Sequence, residues 1–128
     1  MPGEPRRILV VEDEAVSALA LQYAVERAGH RVVAVVDRGD AALDVAAAEA
    51  PDLALMDVRL KGEMNGLEAA RLLQERHAIP SIFLTAYGLD EFRRLDHNGA
   101  PEPLVVLMKP VLDDKLQEAL EQVLPAGS

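Results

Sequence analysis

Five short apolar runs, spaced along the whole chain, limit the folds that this sequence can adopt. Within each run the apolar residues are continuous rather than alternating with polar ones. Strands that are covered on both faces have this pattern, which is typical of a parallel sheet between two layers of helices. The runs cover residues 8–11, 32–36, 53–56, 79–84 (interrupted by Pro80 and Ser81) and 104–108.

Between these runs, apolar residues repeat at the spacing of amphipathic helices. Gly29 follows the first repeat and Pro51 ends the second, as helix-stopping residues do. Asn65 precedes the third as a predicted N-cap, with Glu68 three positions later in a capping-box arrangement. The repeats are Ala18, Leu21, Val25 and Ala28; Leu43, Ala46, Ala47 and Ala50; Leu67, Ala70 and Leu73; and Leu116, Leu120 and Val123.

The last helix is entered through Asp113 and Asp114, whose charges suit a helix N-terminus. The least regular segment covers residues 88–103. Its helix is predicted for residues 90–96 only, because the glycine at 99 and the prolines at 101 and 103 would break a longer helix. The pattern as a whole predicts (βα)₅, a doubly wound α/β domain with a five-stranded parallel sheet and right-handed connections.

The 128 residues fit one domain, predicted for residues 6–124, with flexible ends at 1–5 and 125–128. The formal net charge of −9 disfavours binding to nucleic acid or to anionic lipid. The absence of cysteine from the sequence excludes disulfides, thiolate zinc sites and cysteine nucleophiles. No apolar run approaches the length of a signal-peptide core or a membrane span, so a soluble cytoplasmic protein is expected.

Polar residues follow all five apolar runs directly, but Asp37, which follows the second, belongs to a strand expected at the edge of the sheet, away from the others. Glu12 and Asp13 follow the first, Asp57 the third, Thr85 the fourth and Lys109 the fifth. Ligands of open parallel sheets bind outside the carboxyl ends of the strands, so these side chains are candidates for one site. Three carboxylates packed together repel one another, and a divalent cation removes that conflict. Oxygen-only ligands favour a hard ion, and Mg²⁺ is the expected one.

The segments that contain these residues resemble the signature elements of bacterial two-component response-regulator receiver domains. The resemblance extends over residues 7–123, and it implies the flavodoxin-like receiver fold with strand order 2-1-3-4-5. Each segment alone is a weak signal, whereas all of them in this order are a strong one. The segments are Val-Val-Glu-Asp-Glu at 10–14, Leu-Met-Asp at 55–57, Leu-Thr-Ala at 84–86 and Met-Lys-Pro at 108–110.

The resemblance implies a role for each acidic residue. Asp57 is expected to be the phosphoacceptor, which attacks the phosphorus of a phosphohistidine and becomes an acyl phosphate. Asp13, Asp57 and the backbone carbonyl of Arg59 are expected to bind Mg²⁺ directly. Glu12 is expected to act on the ion through a bound water molecule.

The resemblance also implies how the phosphoryl group is held and what it is for. Lys109 is expected to pair with phosphoryl oxygens, with Pro110 shaping its loop, and the Thr85 hydroxyl is expected to donate to another oxygen. The donor would be a sensor histidine kinase or a histidine phosphotransfer protein, and the recipient of the signal an unknown protein. Self-catalysed phosphorylation and dephosphorylation are expected, not enzymatic turnover. A phosphorylation-dependent homodimer through the face of strands four and five is a further expectation.

Three parts of the sequence depart from the family pattern. The aromatic switch residue that the family places three positions before the lysine is Val106 here, and Tyr87 is the candidate substitute beside Thr85. The pair Lys-Gly at 61–62 stands where most members have a single proline, so Gly66 falls one residue late. The Arg59 side chain should border the phosphoryl group, where we expect it to hinder the attacking water.

Other functions remain open from the sequence. A haloacid-dehalogenase-like phosphohydrolase also uses an Asp nucleophile with Mg²⁺, but it needs a second Asp two residues later, where this chain has Arg59. A receiver-like module without phosphorylation would be expected to lack Asp57 or Lys109. A flavin or nucleotide binder would need a glycine-rich loop after the first strand. The chain could also be a phosphate sink or the receiver part of a longer protein.

Overall fold

The computed structural model describes residues 4–95 and 105–124. Strands and helices alternate along this part of the chain, as the sequence predicted. The elements are β1 (Arg7–Val11), α1 (Ala15–Arg27), β2 (Arg31–Val36), α2 (Gly39–Glu49), β3 (Leu53–Asp57), α3 (Gly66–His77), β4 (Ser81–Thr85), α4 (Leu89–Leu95), β5 (Val106–Met108) and α5 (Asp113–Val123).

The five strands form one parallel sheet in the order β2-β1-β3-β4-β5. Successive residues of a strand point to opposite faces, and in β1 both faces are buried. Ile8 and Val10 pack with apolar residues of α1 and α5. Leu9 and Val11 pack with residues of α2, α3 and α4. The two helical layers therefore explain why the apolar runs are continuous, and the predicted (βα)₅ fold is confirmed.

The ends of the helices follow local rules. The side chain of Asn65 accepts a hydrogen bond from the Glu68 backbone N–H at 2.9 Å, which confirms the predicted N-cap of α3. Gly29 follows the end of α1, and α5 begins at Asp113, both as predicted. Helix α2 ends at Glu49, two residues before Pro51.

Some predicted boundaries and faces were wrong. Strand β4 begins at Ser81 and not at residue 79, because the strand starts only after Pro80, which has no N–H to donate to a neighbouring strand. In α2 the predicted apolar stripe included Ala47 and Ala50, but both are exposed and the helix instead buries Gly39, Ala42 and Ala46. Alanine is small enough to be tolerated on either face, so its spacing was a weak guide.

Other boundaries differ by one or two residues. Helix α4 covers Leu89–Leu95 where residues 90–96 were predicted, and β5 begins at Val106 where 104 was predicted. Residues 96 and 104 lie outside the described part of the chain, as do the glycine and prolines expected to interrupt 88–103. The predicted flexible ends also fall mainly on residues that are not described, apart from the exposed Glu4 and Pro5.

Candidate phosphoacceptor and metal site

The parallel register brings the ends of the central strands to one edge of the sheet. Val11 is paired with Met56, so Glu12 and Asp57 follow side by side. Thr85, the last residue of β4, is paired with Met108, so Lys109 is the next residue along the same edge. The predicted site residues thus converge at the carboxyl ends of β1, β3, β4 and β5.

Lys109 lies between two of the predicted carboxylates. Its Nζ donates to Glu12 Oε2 at 2.7 Å and to Asp57 Oδ2 at 2.8 Å. Both carboxylates are buried, with Glu12 3% and Asp57 5% exposed. Charge-assisted hydrogen bonds of this length position the ammonium firmly beside the Asp57 carboxylate. The Lys109–Pro110 peptide is cis.

Asp13 completes an acidic cluster with Glu12 and Asp57. One carboxylate oxygen from each of the three lies within 4.8 Å of the others. With all three ionised, their charge exceeds the single positive charge of Lys109 by two. Oxygen ligands at this spacing suit a hard divalent cation such as Mg²⁺, which would offset the remaining charge. The residues present therefore fit the metal that the sequence predicted.

The pKa values of Glu12 and Lys109 are both shifted by their surroundings in the cluster. The pKa of Glu12 is raised from 4.5 to about 7, chiefly by burial and also by the neighbouring Asp57 carboxylate, against the opposing effect of the hydrogen bond from Lys109. Burial disfavours the charged form of Lys109, but the hydrogen bonds to Asp57 and Glu12 outweigh that effect and raise its pKa above the usual value. The site thus holds more negative charge than its own residues neutralise.

A glycine at the start of α3 allows the helix to approach the phosphoacceptor strand. A Cβ at Gly66 would lie 1.9 Å from the backbone oxygen of Asp57, far inside van der Waals contact. The Gly66 N–H donates to Val58 O at 3.0 Å, which fixes the approach. Upstream, Gly62 has a φ of +90°, which glycine adopts without strain. The connection from Asp57 to α3 therefore depends on two glycines, Gly62 for its backbone conformation and Gly66 for the close approach to Asp57.

Thr85 lies at the expected edge, but its hydroxyl has partners other than the acidic cluster. Its Oγ1 makes a long hydrogen bond of 3.4 Å to Glu91 Oε1 and accepts from the Tyr87 backbone N–H at 3.1 Å. Glu91, in the first turn of α4, is only 2% exposed. Sequence reasoning missed Glu91, because an acidic residue in a first turn is ordinary.

The backbone of Arg59 contacts the Asp57 carboxylate, whereas its side chain extends to α4. The Arg59 N–H donates to Asp57 Oδ1 at 3.1 Å. The guanidinium donates to Glu91 Oε2 at 2.8 Å, and its centre lies 4.9 Å from the centroid of the Tyr87 ring. The Glu91 hydrogen bond raises the pKa of Arg59. The side chain expected to border the phosphoryl group is therefore tied to α4.

The other two predicted switch residues differ in environment. Val106, at the position of the family's aromatic residue, is partly buried and packs against the core that contains Phe83 and Phe92. Those two rings meet edge to face, with centroids 5.1 Å apart. Tyr87 is 65% exposed. Val106 therefore has no ring that could turn inward, and Tyr87 is linked to the site through Arg59.

Known proteins resemble this chain over most of its length. A family model described as "Response regulator receiver domain" matches residues 8–121. The chain is 32% identical over 118 residues to the "Phyllosphere-induced regulator PhyR" of Methylorubrum extorquens, which covers 91% of this chain and 43% of that protein. It is 31% identical over 118 residues to "Transcriptional regulatory protein PdtaR" of Mycobacterium tuberculosis, covering 91% of this chain and 56% of that protein. It thus spans about half the length of these relatives.

Solved structures show the same similarity. The solution structure of the Erythrobacter litoralis PhyR response regulator REC domain has a TM-score of 0.82 and 27% identity, and covers 98% of this chain and 95% of that one. The signal receiver domain of a modulated diguanylate cyclase from Desulfovibrio desulfuricans has a TM-score of 0.79 and 31% identity, and covers 94% of each chain. Among the residues described here, no helix has the length and apolar character to cross a bilayer. With nearly its whole length matched, the chain belongs to the response regulator receiver domain family.

Proposed function

We propose that this domain, residues 6–124, accepts a phosphoryl group on Asp57 with the help of Mg²⁺ and signals through the resulting change of shape. The observation that carries the proposal is the position of Lys109, which contacts Asp57 and Glu12 at once. An ammonium beside a carboxylate nucleophile can neutralise the charge of an incoming phosphoryl group, and positioning with charge neutralisation is most of what phosphoryl transfer needs.

The position of Asp57 beside Lys109 supports the following reaction. One carboxylate oxygen attacks the phosphorus of a phosphohistidine, the electron pair of the breaking P–N bond stays on the ring nitrogen, and that nitrogen takes a proton from solvent, so that the histidine leaves as neutral imidazole. The product is an acyl phosphate on Asp57. Lys109 would then pair with phosphoryl oxygens, and the Thr85 hydroxyl would donate to one of them instead of to Glu91.

The acidic cluster has its own part in the proposal. Asp13, Asp57 and the Arg59 backbone carbonyl would hold Mg²⁺, and Glu12 would act on it through a water molecule. The ion supplies positive charge that offsets the negative charge gathered in the transition state. The raised pKa of Glu12 supports this role, because it reflects an unfavourable anionic site that a cation would relieve.

The partners belong to the same proposal. The phosphoryl donor would be a sensor histidine kinase or a histidine phosphotransfer protein in the cytoplasm. The net charge of −9 supports a protein partner and not nucleic acid or membrane lipid. A relative from Bartonella quintana is described as "Anti-anti-sigma factor PhyR", so a regulatory protein is our candidate for the downstream partner. A phosphorylation-dependent homodimer is a further candidate.

Intact mass spectrometry after incubation with acetyl phosphate and Mg²⁺ tests the proposal. We expect one added phosphoryl group in the wild type. The addition should be absent in Asp57→Asn, which keeps the size of the side chain, and absent when EDTA removes the metal. Phosphorylation of Asp57→Asn to the wild-type level would refute Asp57 as the acceptor.

The phosphohydrolase alternative is not favoured. Arg59 occupies the position of the general acid that such an enzyme needs, and its guanidinium is engaged by Glu91. We therefore expect a self-limited acceptor and not a turnover enzyme. Steady hydrolysis of p-nitrophenyl phosphate, well beyond one equivalent of protein, would contradict this expectation.

A further inference from the structure

Glu91 is a buried carboxylate that depends on two donors at the edge of the candidate site. Its Oε2 accepts from the Arg59 guanidinium at 2.8 Å, and its Oε1 accepts the longer hydrogen bond from Thr85 at 3.4 Å. The Glu91 side chain is only 2% exposed, whereas that of Arg59 is 64% exposed. The exposed Arg59 side chain can therefore rotate once its contacts with Glu91 are broken, but Glu91 cannot reach water while α4 stays in place.

Both donors belong to residues that adjoin Asp57 through their backbones. The Arg59 backbone N–H already contacts Asp57 Oδ1 at 3.1 Å, and the Asp57 charge contributes to the raised pKa of Arg59. Thr85 is the last residue of β4, which pairs with the strand that ends at Asp57. A phosphoryl group replaces the single negative charge of Asp57 with up to two, a net gain of about one, and brings three acceptor oxygens to this point. It therefore competes with Glu91 for the same guanidinium and the same hydroxyl.

We propose that Glu91 holds α4 in the unphosphorylated position, and that phosphorylation releases α4 by drawing Arg59 and Thr85 away from Glu91. This inference rests on the proposed function, since it needs a phosphoryl group on Asp57. A buried carboxylate that loses its partners is costly, and the helix that carries it must move to bring it to water. The same turn of α4 buries Phe92 against Phe83, so the core is affected as well.

This arrangement provides a coupling that does not need an aromatic ring at Val106. The signal passes through electrostatic competition, from Asp57 to Arg59 and Thr85 and then to Glu91 in α4. Tyr87 contributes a cation–π contact, because the centre of the Arg59 guanidinium lies 4.9 Å from the centroid of its ring. This contact would be lost when Arg59 turns toward the phosphoryl group.

Hydrogen exchange of the α4 amides, measured by mass spectrometry with and without acetyl phosphate and Mg²⁺, tests the inference on the full chain. In the wild type, exchange across Leu89–Leu95 should rise about tenfold on phosphorylation. In Glu91→Gln it should stay slow in both states, because a neutral amide can remain buried without a cation. In Arg59→Gln it should be fast in both states, because Glu91 has already lost its main donor.

Asp90→Asn is the matched control, because it removes an exposed carboxylate from the same turn and should respond like the wild type. A rise in Glu91→Gln equal to that of the wild type would overturn the inference, as would slow exchange in unphosphorylated Arg59→Gln. So would unchanged exchange in wild-type protein that intact mass shows to be phosphorylated. Failure of the wild type to gain a phosphoryl group would instead overturn the proposed function, and this inference with it.

Discussion

Glu12 should make the metal-free protein lose stability as the pH rises toward neutrality. Its pKa is raised from 4.5 to about 7 by burial and by Asp57, so the folded state binds the proton more tightly than the unfolded state does. The stabilisation is complete below the unfolded pKa and is lost as the pH rises through the folded pKa. At about 1.4 kcal/mol per pKa unit, the total is about 3 kcal/mol.

Urea unfolding followed by far-UV circular dichroism measures this loss. The titrations are run in EDTA between about pH 5 and about pH 8, where about 2 to 3 kcal/mol of the effect should appear. Other ionisable groups also contribute to the pH dependence of the free energy of unfolding. Glu12→Gln is therefore the matched control, since it keeps the shape of the side chain but cannot ionise. The quantity of interest is the free energy of unfolding of the wild type minus that of Glu12→Gln.

Mg²⁺ should reverse the effect. The ion stabilises the folded state by mass action and favours the ionised form of Glu12, so its stabilisation should be larger at the upper end of the pH range than at the lower end. A difference between wild type and Glu12→Gln that is flat across the range in EDTA would refute the reasoning. It would mean that Lys109 alone neutralises the cluster.

Three further substitutions test other parts of the site. Asp13→Asn should weaken Mg²⁺ binding at least about tenfold by calorimetry, because it removes a charged ligand; unchanged affinity would exclude Asp13 as a ligand. Gly66→Ala should cost about 3 kcal/mol in urea unfolding, because its Cβ would lie 1.9 Å from Asp57 O. The matched Gly39→Ala should cost less, since its closest contact is the flexible Met64 side chain. Arg59→Ala should hydrolyse its acyl phosphate severalfold faster by timed intact mass, and an unchanged lifetime would show that Arg59 does not hinder water.

The sequence predicted the site best where a reactive polar residue directly follows a buried strand. Continuous apolar runs predict buried parallel strands, and the residue after each run then falls at a known edge of the sheet. For this reason Glu12, Asp57 and Lys109 could be placed together before any contact was known, and the structure joins them within hydrogen-bonding distance. Asn65 was equally predictable, because helix capping depends on local sequence alone.

The rest depends on contacts between elements, which spacing does not encode. Glu91 is one of two acidic residues that begin α4, and only the packed structure shows that it is buried while Asp90 is exposed. Thr85 was placed at the correct edge, but its resting partners in the β4–α4 segment could not be inferred. The Arg59 side chain was expected beside the phosphoryl group because of its position in the family pattern, whereas it is hydrogen-bonded to Glu91 in the next helix.

The contact between Lys109 and Glu12 joins residues 97 positions apart in the chain. During synthesis, Glu12 after β1 and Asp57 at the end of β3 leave the ribosome well before their ammonium partner Lys109 does. A nascent chain that has not yet been extended to β5 contains the nucleophile Asp57 but lacks the Lys109 ammonium that neutralises its charge. Phosphoryl acceptance should therefore begin only when the last strand joins the sheet. Incompletely synthesised chains would then not consume the phosphorylated donor.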